Sequence, residues 1–281
     1  MKSGRLFVWF QHVLPQHALS RLVLYATRVR APWFKNALIK GFLRLYAIDM
    51  TEAEQPDALR YGSFNEFFIR ALKPNARVFA REPRDIACPV DGAISEAGKI
   101  DDASLLQAKG RYYTLDELLA ARGWAKHFEG GSFATIYLAP FNYHRVHMPL
   151  TGRLRETVYV PGRLFSVNAV TASRVPRLFA RNERVLTWFD TAFGEFALIL
   201  VGALNVGSIA TVWAGDITPA SRRVTTALPP QDVLLEKGAE LGRFNMGSTV
   251  ILLFQKDRAR WHEDLRAGTT VKLGQSLGHL Q

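Results

Sequence analysis

The sequence has very little cysteine: Cys88 is the one residue of this type in 281. A lone cysteine cannot form an internal disulfide, and this scarcity is typical of chains that fold in a reducing compartment. No apolar run approaches the roughly 18 residues that suggest a transmembrane helix. A secretory signal peptide also fits poorly, because the apolar stretch at 6–10 is short and polar Gln11 and His12 follow it.

Acidic residues are missing before Asp49, although the whole chain carries a net charge of +11. Most of that charge comes from the basic residues of this segment, which are Lys2, Arg5, Arg21, Arg28, Arg30, Lys35, Lys40 and Arg44. The segment is also rich in aromatic residues. On a helix one face would hold Phe34, Leu38, Gly41, Phe42 and Leu45, with Lys40 and Arg44 off that face.

Basic amphipathic helices with aromatic residues are typical of segments that lie on anionic membranes. The segment is therefore predicted to bind a membrane surface. The alternative is a helical cap that packs on the protein's own core. Nucleic-acid binding is disfavoured, because no zinc-finger, RRM or KH pattern accompanies the charge.

The sequence pattern changes along the chain from helical to β-rich. Three helices are predicted before Asp57, broken by Pro15, Pro32 and Pro56, and a further helix is predicted over 63–72. From Ile86 onward short β-rich runs dominate, interrupted by one helical insert at 114–122; the runs are 133–138, 156–160, 185–189, 197–201 and 208–213. The predicted fold class is α+β, with a helical element at 1–56 and a β-rich catalytic core at 57–281.

Three short stretches carry residues suited to chemistry. CPVDG contains Asp91 in a turn dipeptide, and the loop APFNYHRVHMP places His144 and His147 three residues apart after a strand. The histidines could instead satisfy hydrogen bonds in the loop. A zinc site is disfavoured, since the chain has neither the H-E-x-x-H nor the H-x-x-E-H pattern and no cysteine pair.

The third stretch is FNMGSTVILLF, where Ser248 follows Gly247 and precedes an apolar run. A tight turn into a buried strand explains this pattern, because glycine reaches positive φ at little cost. The G-x-S-x-G elbow of α/β-hydrolases is absent. A Ser–His–Asp set is nevertheless recognised by roles rather than by chain order. A serine placed after glycine could attack its own chain, because no Cβ obstructs the carbonyl of Gly247.

The chain resembles the bacterial phosphatidylserine decarboxylase proenzymes from about Phe64 to the C-terminus. The resemblance rests on FFIR followed by ALKP, CPVDG, QAKGRYYTLDELL, APFNYHRVHMP, PGRLFSVN, LFARNERV, VGALNVGSI and GAELGRFNMGSTV. The N-terminal basic helices match in character more than in letters. One departure is Met246, where the family most often has leucine before Gly-Ser-Thr. Leucine and methionine have similar volumes, so the same chemistry is expected.

The resemblance implies a pyruvoyl enzyme made by self-cleavage. Ser248, with His147 as base and Asp91 orienting that histidine, would attack the Gly247 carbonyl to give an ester. β-Elimination and hydrolysis would then convert Ser248 into an N-terminal pyruvoyl group. The products would be a β chain of residues 1–247 and an α chain of residues 248–281.

The resemblance also implies the reaction, the cofactor and the partners. Phosphatidylserine would form a Schiff base with the pyruvoyl group at position 248 and lose CO₂ to give phosphatidylethanolamine. His144 would donate the proton or anchor the substrate. No metal and no nucleic acid are expected, and a homodimer is left open. The expected location is the cytoplasmic side of the cell membrane, bound peripherally.

Two other functions stay open at this point. A membrane-associated serine hydrolase would use the same Asp91, His147 and Ser248 but would keep its chain intact. A non-catalytic lipid-binding module would explain the N-terminal segment but not the chemical residues.

Overall fold

The computed structural model describes residues 2–120, 123–204, 208–217, 225–227, 232–245 and 248–281. Long helices occur at the N-terminus, and the helices that follow are a single turn or little more. They are α1 (Lys2–Val13), α2 (Gln16–Thr27), α3 (Pro32–Leu45), α4 (Phe64–Phe68), α5 (Leu115–Leu118), α6 (Ala125–Phe128), α7 (Ala169–Ala172) and α8 (Leu178–Arg181).

Strands supply most of the remaining regular structure. They are β1 (Asp85–Ala87), β2 (Gly92–Lys99), β3 (Ser104–Ala108), β4 (Arg111–Thr114), β5 (Ser132–Leu138), β6 (Arg145–His147), β7 (Gly152–Val160), β8 (Arg184–Thr191), β9 (Gly194–Val201), β10 (Ile209–Thr211), β11 (Gly215–Ile217), β12 (Thr225–Ala227), β13 (Leu234–Leu235), β14 (Glu240–Phe244), β15 (Ser248–Phe254), β16 (Ala259–Trp261), β17 (Thr270–Val271) and β18 (Ser276–Leu280).

The largest sheet has nine strands, in the order β12-β7-β8-β9-β15-β5-β2-β17, with β13 added beside β7. Its central strand is β15, which pairs antiparallel with β5 on one side and β9 on the other. Every residue of β15 is buried. A strand buried on both faces must be apolar throughout, and this explains the continuous run VILLF at its C-terminal end.

A second sheet of four strands runs β11-β10-β14-β6, and smaller sheets are β1-β18-β16 and β3-β4. The chain leaves the four-stranded sheet at the end of β14 and enters the nine-stranded sheet at the start of β15. Only residues 245–247 separate the two strands. Ser248 is therefore the first residue of the central strand, at the point where the chain changes sheets.

The N-terminal helices are attached to the β-rich core by buried side chains. The side-chain oxygen of Gln11 accepts a hydrogen bond from the backbone of Ser166 at 2.7 Å, and that of Gln16 accepts one from Leu164 at 2.9 Å. On α3, Ile39 is fully buried in an apolar cluster that includes Phe64, Phe67 and Phe68. Removing these helices would therefore expose core surface.

The predicted apolar face of α3 is only partly available to a membrane. Leu38 and Phe42 pack against the cluster around Ile39, whereas Leu45 is exposed. Lys35 is buried and donates to the carbonyl of Leu59 at 2.8 Å. Most contacts of α3 are therefore those of a helical cap on the protein's own core, which was the alternative to membrane binding. The exposed apolar side chains lie mainly on α1 and α2.

The predicted α+β class is confirmed, and so are the three helices before Asp57 and four of the five β-rich runs. The run predicted over 208–213 is too long, because β10 covers only Ile209–Thr211. The helix predicted over 114–122 is observed as α5, which ends at Leu118, and residues 121–122 lie outside the described residues.

The predicted helix over 63–72 is too long, because α4 ends at Phe68. Its N-cap is as expected, since the Ser63 side chain accepts from the Glu66 backbone at 3.1 Å. After α4 the chain becomes extended, and Leu72 forms an isolated antiparallel β-bridge with Ala53.

We predict that Gly242→Ala destabilises the fold. A Cβ at Gly242 on β14 would lie 2.3 Å from the carbonyl oxygen of Ala210 on β10, so the two strands would have to separate. Overpacking of this kind costs about 1–3 kcal/mol. Urea unfolding of chains that also carry Ser248→Ala measures the effect, since this change removes the nucleophile of the predicted self-cleavage.

Gly41→Ala on α3 is the matched control, because no atom lies within 4 Å of its Cβ position. It should raise the free energy of unfolding by about 0.5–1 kcal/mol, since alanine loses less conformational entropy in a helix. Equal stability of the two variants would contradict the close approach of β10 and β14.

Candidate active site

Ser248 occupies a buried position at the start of β15. It pairs with Leu138, the last residue of β5, and its side chain is 0% exposed. Among the described residues, none forms a hydrogen bond with its Oγ. A buried hydroxyl without a partner is costly and calls for a functional explanation. Met246 and Gly247, which carry the predicted cleavage site, lie outside the described residues.

The segment before this site is held by Asn245. Its backbone N–H donates to the carbonyl of Ser208 at 3.0 Å, and its side-chain amide donates to the Ser208 hydroxyl and, at 3.2 Å, to Asp216. Asn65 in turn donates to both the backbone and side-chain oxygens of Asn245 at 3.2 Å. Asp216 also pairs with Arg28 of the N-terminal segment at 2.5 Å. This polar cluster fixes the chain two residues before Gly247.

His144 lies at the same corner as Ser248. Its backbone carbonyl accepts a hydrogen bond from Phe244, the last residue of β14, at 3.0 Å. Its Nε2 is 3.3 Å from the carbonyl oxygen of Pro140, two residues beyond the Leu138 that pairs with Ser248. A carbonyl only accepts, so Nε2 carries the proton. The other nitrogen, Nδ1, is buried and has no partner in the described part of the chain.

His147 lies further along the ladder, opposite Glu240 at the other end of β14. Its Nδ1 is 2.7 Å from the Gly238 carbonyl oxygen, and its Nε2 is 3.0 Å from the hydroxyl of Tyr143. The carbonyl again requires the proton on Nδ1, which leaves Nε2 as an acceptor for the Tyr143 hydroxyl. The backbone carbonyl of Gly238 therefore sets the tautomer of His147.

Asp91 was predicted to orient His147, but among the described residues no hydrogen bond joins the two. The carboxylate of Asp91 instead receives Arg77, at 2.7 and 3.3 Å, and the backbone N–H of Leu273 at 2.8 Å. Arg77 also pairs with Glu52 at 2.8 Å. The Asp91 carboxylate pairs with Arg77, because the guanidinium can donate to both carboxylate oxygens at once.

Burial keeps both imidazoles neutral. Burial, as the largest cause, lowers the pKa of His144 to about 3. The pKa of His147 is also lowered, again mainly by burial, while its hydrogen bond to Gly238 and the charges of Glu240 and Asp91 act in the opposite direction. Asp91 therefore acts on both rings through its charge. A neutral imidazole with a free lone pair is the form that a general base requires.

Two cavities lie on either side of the loop that carries the histidines. One of about 210 Å³ is lined by apolar and small polar residues, namely Phe42, Tyr46, Phe68, Tyr137, Leu138, Pro140, Ser166, Val167, Ala203 and Leu204. The other, of about 220 Å³, is lined by His147, Tyr143 and charged residues that include Arg77, Arg145 and Glu240. A further cavity, of about 680 Å³, lies at the opposite end of the nine-stranded sheet, beside Gly152 and Asp190.

The structure thus brings Ser248 and His144 to one corner and holds Asp91 and His147 nearby on other contacts. Sequence reasoning did not identify Arg77 or Asn245, which fix the surroundings of Asp91 and of the predicted cleavage site. No sequence signal marks them, because Arg77 reaches Asp91 from 14 positions away and Asn65 reaches Asn245 from 180 positions away. No group of three potential metal ligands occurs among the described residues.

Fold and site together define an α+β protein with a buried serine–histidine corner. The family described as phosphatidylserine decarboxylase matches residues 64–279, and a further description, PSD, matches residues 6–47. The chain belongs to the phosphatidylserine decarboxylase family, and the resemblance predicted from the motifs is confirmed.

The chain is similar over nearly its whole length to curated proteins named phosphatidylserine decarboxylase proenzyme. One, from Methylococcus capsulatus, is 52% identical and is aligned over 98% of this chain and 96% of its own. Another, from Pseudomonas aeruginosa, is 53% identical over 98% and 97% of the two chains. A third, from Pseudomonas putida, is 53% identical over 99% and 98%.

We predict that His144 makes the stability of the protein depend on pH. The folded pKa is about 3 and the ordinary value is 6.5, so below pH 6.5 the unfolded chain binds a proton that the folded chain does not. Stability is therefore lost as the pH falls from about 6.5 towards 3, by up to about 1.4 kcal/mol per pH unit. His144→Gln should remove this contribution.

The measurement is urea unfolding between about pH 4 and pH 7 in chains carrying Ser248→Ala. His279→Gln, at an exposed histidine, controls for the loss of an imidazole as such. If the His144→Gln curve runs parallel to that of the parent, the imidazole is not held neutral by burial.

Proposed function

We propose that the protein is a phosphatidylserine decarboxylase that matures by cutting its own chain between Gly247 and Ser248. The observation that carries the proposal is Ser248 itself, a 0% exposed serine whose Oγ has no partner among the described residues. In the uncleaved chain such a hydroxyl is shielded from solvent and lies next to its own preceding peptide bond. The relatives' name, proenzyme, agrees with a chain that is processed.

The two alternative functions fit these observations less well. A serine hydrolase presents its nucleophile to the substrate as an accessible side chain, whereas Ser248 of the uncleaved chain is 0% exposed and pairs with Leu138 of β5. A non-catalytic lipid module would have no need of buried imidazoles with a free nitrogen. Membership of a decarboxylase family agrees with neither alternative.

Maturation begins when Ser248 Oγ attacks the carbonyl carbon of Gly247 and its proton passes to a histidine. The peptide C–N bond breaks, an ester forms between Gly247 and Ser248, and the freed amine takes up the proton. Loss of the Ser248 α-proton then expels the Gly247 carboxylate and leaves dehydroalanine. Water hydrolyses the resulting imine, and ammonia departs.

The identity of the base is open to two assignments. The sequence-based one gives this role to His147, with Asp91 orienting it, and assigns His144 to the later decarboxylation. Neither imidazole forms a hydrogen bond with Ser248 Oγ among the described residues. His144 is the other candidate, since its backbone carbonyl accepts from Phe244 at the end of β14 and its Nδ1 is buried without a partner in the described part of the chain. In that assignment His147 contributes to the polar wall of the neighbouring cavity, and Asp91 holds Arg77 of the same wall.

The pyruvoyl group would supply an electron sink that holds the amine of the headgroup covalently while CO₂ leaves. Position 248 fits such a group, because it is buried, adjoins Leu138 of the 210 Å³ cavity and needs no metal ligand. Phe68 stacks on His144 with ring centroids 4.2 Å apart and keeps that imidazole beside the cavity. His144 would deliver the proton to the headgroup carbon after CO₂ departs.

We further propose that residues 1–56 bind the cytoplasmic face of the membrane peripherally. In the described part of the chain no helix is both long and apolar enough to cross a bilayer. Exposed apolar side chains gather on α1, α2 and the start of α3: Leu6, Phe7, Trp9, Phe10, Val13, Leu22, Tyr25 and Trp33. Exposed Arg5, Arg21, Lys40 and Arg44 supply charge that anionic lipids attract.

The two chains are expected to stay together after cleavage. The α chain would keep β15 at the centre of the nine-stranded sheet and β17 at its edge, with β16 and β18 in another sheet. Separating it from the β chain would expose a strand that is buried throughout. A homodimer stays a prediction.

We predict that Ser248→Ala leaves the chain whole and inactive, because the nucleophile is lost. His147→Ala and Asp91→Ala should mature slowly or not at all under the sequence-based assignment, while His144→Ala should cleave normally and lose most of its turnover. Intact mass under denaturing conditions measures cleavage, and CO₂ release is measured from the same samples.

The opposite result would support the other assignment. If His144→Ala stays uncleaved and His147→Ala is cleaved, His144 is the base. Thr249→Val is the control, since it removes a neighbouring buried hydroxyl that also lacks a partner among the described residues. Two fragments of normal size from Ser248→Ala would rule out self-cleavage at this serine.

We predict that the triple variant Trp9→Ser, Tyr25→Ser and Trp33→Ser binds anionic vesicles more weakly, because it removes exposed aromatic side chains. Binding of the parent should also weaken as salt rises, since salt screens the basic residues. Vesicle co-sedimentation measures both effects. Tyr112→Ser is the control, at an exposed tyrosine on β4. Undiminished sedimentation of the triple variant would remove these helices from the membrane contact.

A further inference from the structure

Arg70 is a buried arginine that forms no ion pair among the described residues. Burial lowers its pKa, and the more distant Asp91 and Glu52 act against that shift. Arg70 lies two residues after the end of α4 and is 5% exposed. No described residue accepts a hydrogen bond from its guanidinium, and its Nε is buried without any partner in that part of the chain. Its one close side-chain contact of note is with the ring of Phe67, whose centroid is 5.9 Å from the Arg70 Cζ. Burying an unpaired charge strongly destabilises a folded protein, because the charge loses its hydration.

Other buried or half-buried arginines have hydrogen-bond acceptors. Arg184, 2% exposed, donates to four backbone carbonyls at 2.6–3.0 Å. Arg77 bridges Asp91 and Glu52, and Arg145 pairs with Glu240 at 2.8 Å. These arginines have hydrogen-bond acceptors within the protein. The guanidinium of Arg70 has none among the described residues.

The surroundings of Arg70 are those of the candidate active site. Phe68 stacks on His144 and lines the 210 Å³ cavity, while Ala71 and Leu72 line the 220 Å³ cavity. Arg70 itself lies in the chain between Phe68, which lines one cavity, and Ala71, which lines the other. Its positive charge is one of the causes that lower the pKa of His144, after the larger effect of burial.

We propose that Arg70 binds the anionic part of the phospholipid headgroup, a carboxylate or a phosphate, when substrate enters the site. This inference rests on the proposed decarboxylase function. A guanidinium presents a planar set of donors that matches either anion in a bidentate manner. The acceptor that Arg70 lacks in the free protein would then be provided by the substrate, and the cost of burying the charge would be recovered on binding.

The test compares Arg70→Gln with Arg184→Gln, its matched control, using soluble dihexanoyl phosphatidylserine so that membrane binding plays no part. Arg70→Gln should cleave its chain as completely as the parent and keep or raise the melting temperature, because an unpaired buried charge is removed. Its KM should rise roughly ten- to hundredfold, since charged hydrogen bonds to the substrate are lost. Arg184→Gln should lower the melting temperature and leave KM unchanged in the folded fraction.

A second measurement identifies the anion. Calorimetry with dihexanoyl phosphatidylethanolamine, which has the phosphate but no carboxylate, is carried out on cleaved parent and Arg70→Gln protein. Weaker binding in the variant assigns Arg70 to the phosphate, and unchanged binding together with a raised KM assigns it to the carboxylate.

Three results would overturn the proposal. Unchanged KM and unchanged lipid binding in Arg70→Gln would show that Arg70 does not contact the headgroup. A melting temperature lowered as far as in Arg184→Gln would make Arg70 a structural residue. Loss of chain cleavage at an unchanged melting temperature would place it in maturation. The proposed function fails separately, if the parent protein neither cleaves its chain nor releases CO₂.

Discussion

The pairing of β15 with both β5 and β9 is the constraint on which the rest of the site depends. The ladder with β5 spans Ser248–Phe254 and the ladder with β9 spans residues 249–254, and every residue of the strand is buried. A strand fixed on both edges cannot shift its register without turning its side chains to the opposite face. The first residue of that strand, Ser248, is therefore held in one position relative to Leu138 and to the loop that follows it.

Burial of this corner also sets its electrostatics. Away from water, an imidazole is kept neutral, a carboxylate must be paired and an unpaired cation is costly. His144 and His147 follow the first rule, and Asp91 with Arg77 follows the second. Arg70 departs from the third, and this departure is best explained by an anion that is absent from the free chain. The same low dielectric strengthens each polar contact that substrate would make.

The junction between the sheets connects the site to the N-terminal helices. Asn245 is bonded to Asn65 at the start of α4 and to Asp216, which in turn pairs with Arg28 at the end of α2. Phe42 of α3 lines the same cavity as Phe68 and Leu138. The segment proposed to bind the membrane therefore also forms part of the wall of the candidate substrate cavity.

The amino-acid sequence by itself determined the long apolar strands of the central sheet, the first three helices and the residue types of the site. Apolar runs such as VILLF at 250–254 predict buried strands, and Pro15 and Pro32 separate the helices, because these signals are local. The motifs also sufficed to identify the family. Tertiary structure alone decided the end of α4, where Leu72 pairs with Ala53, and the partners of Asp91 and His147. It also left Arg70 unpaired, since hydrogen bonds between distant segments and the burial of a charge arise only when the sheets pack together.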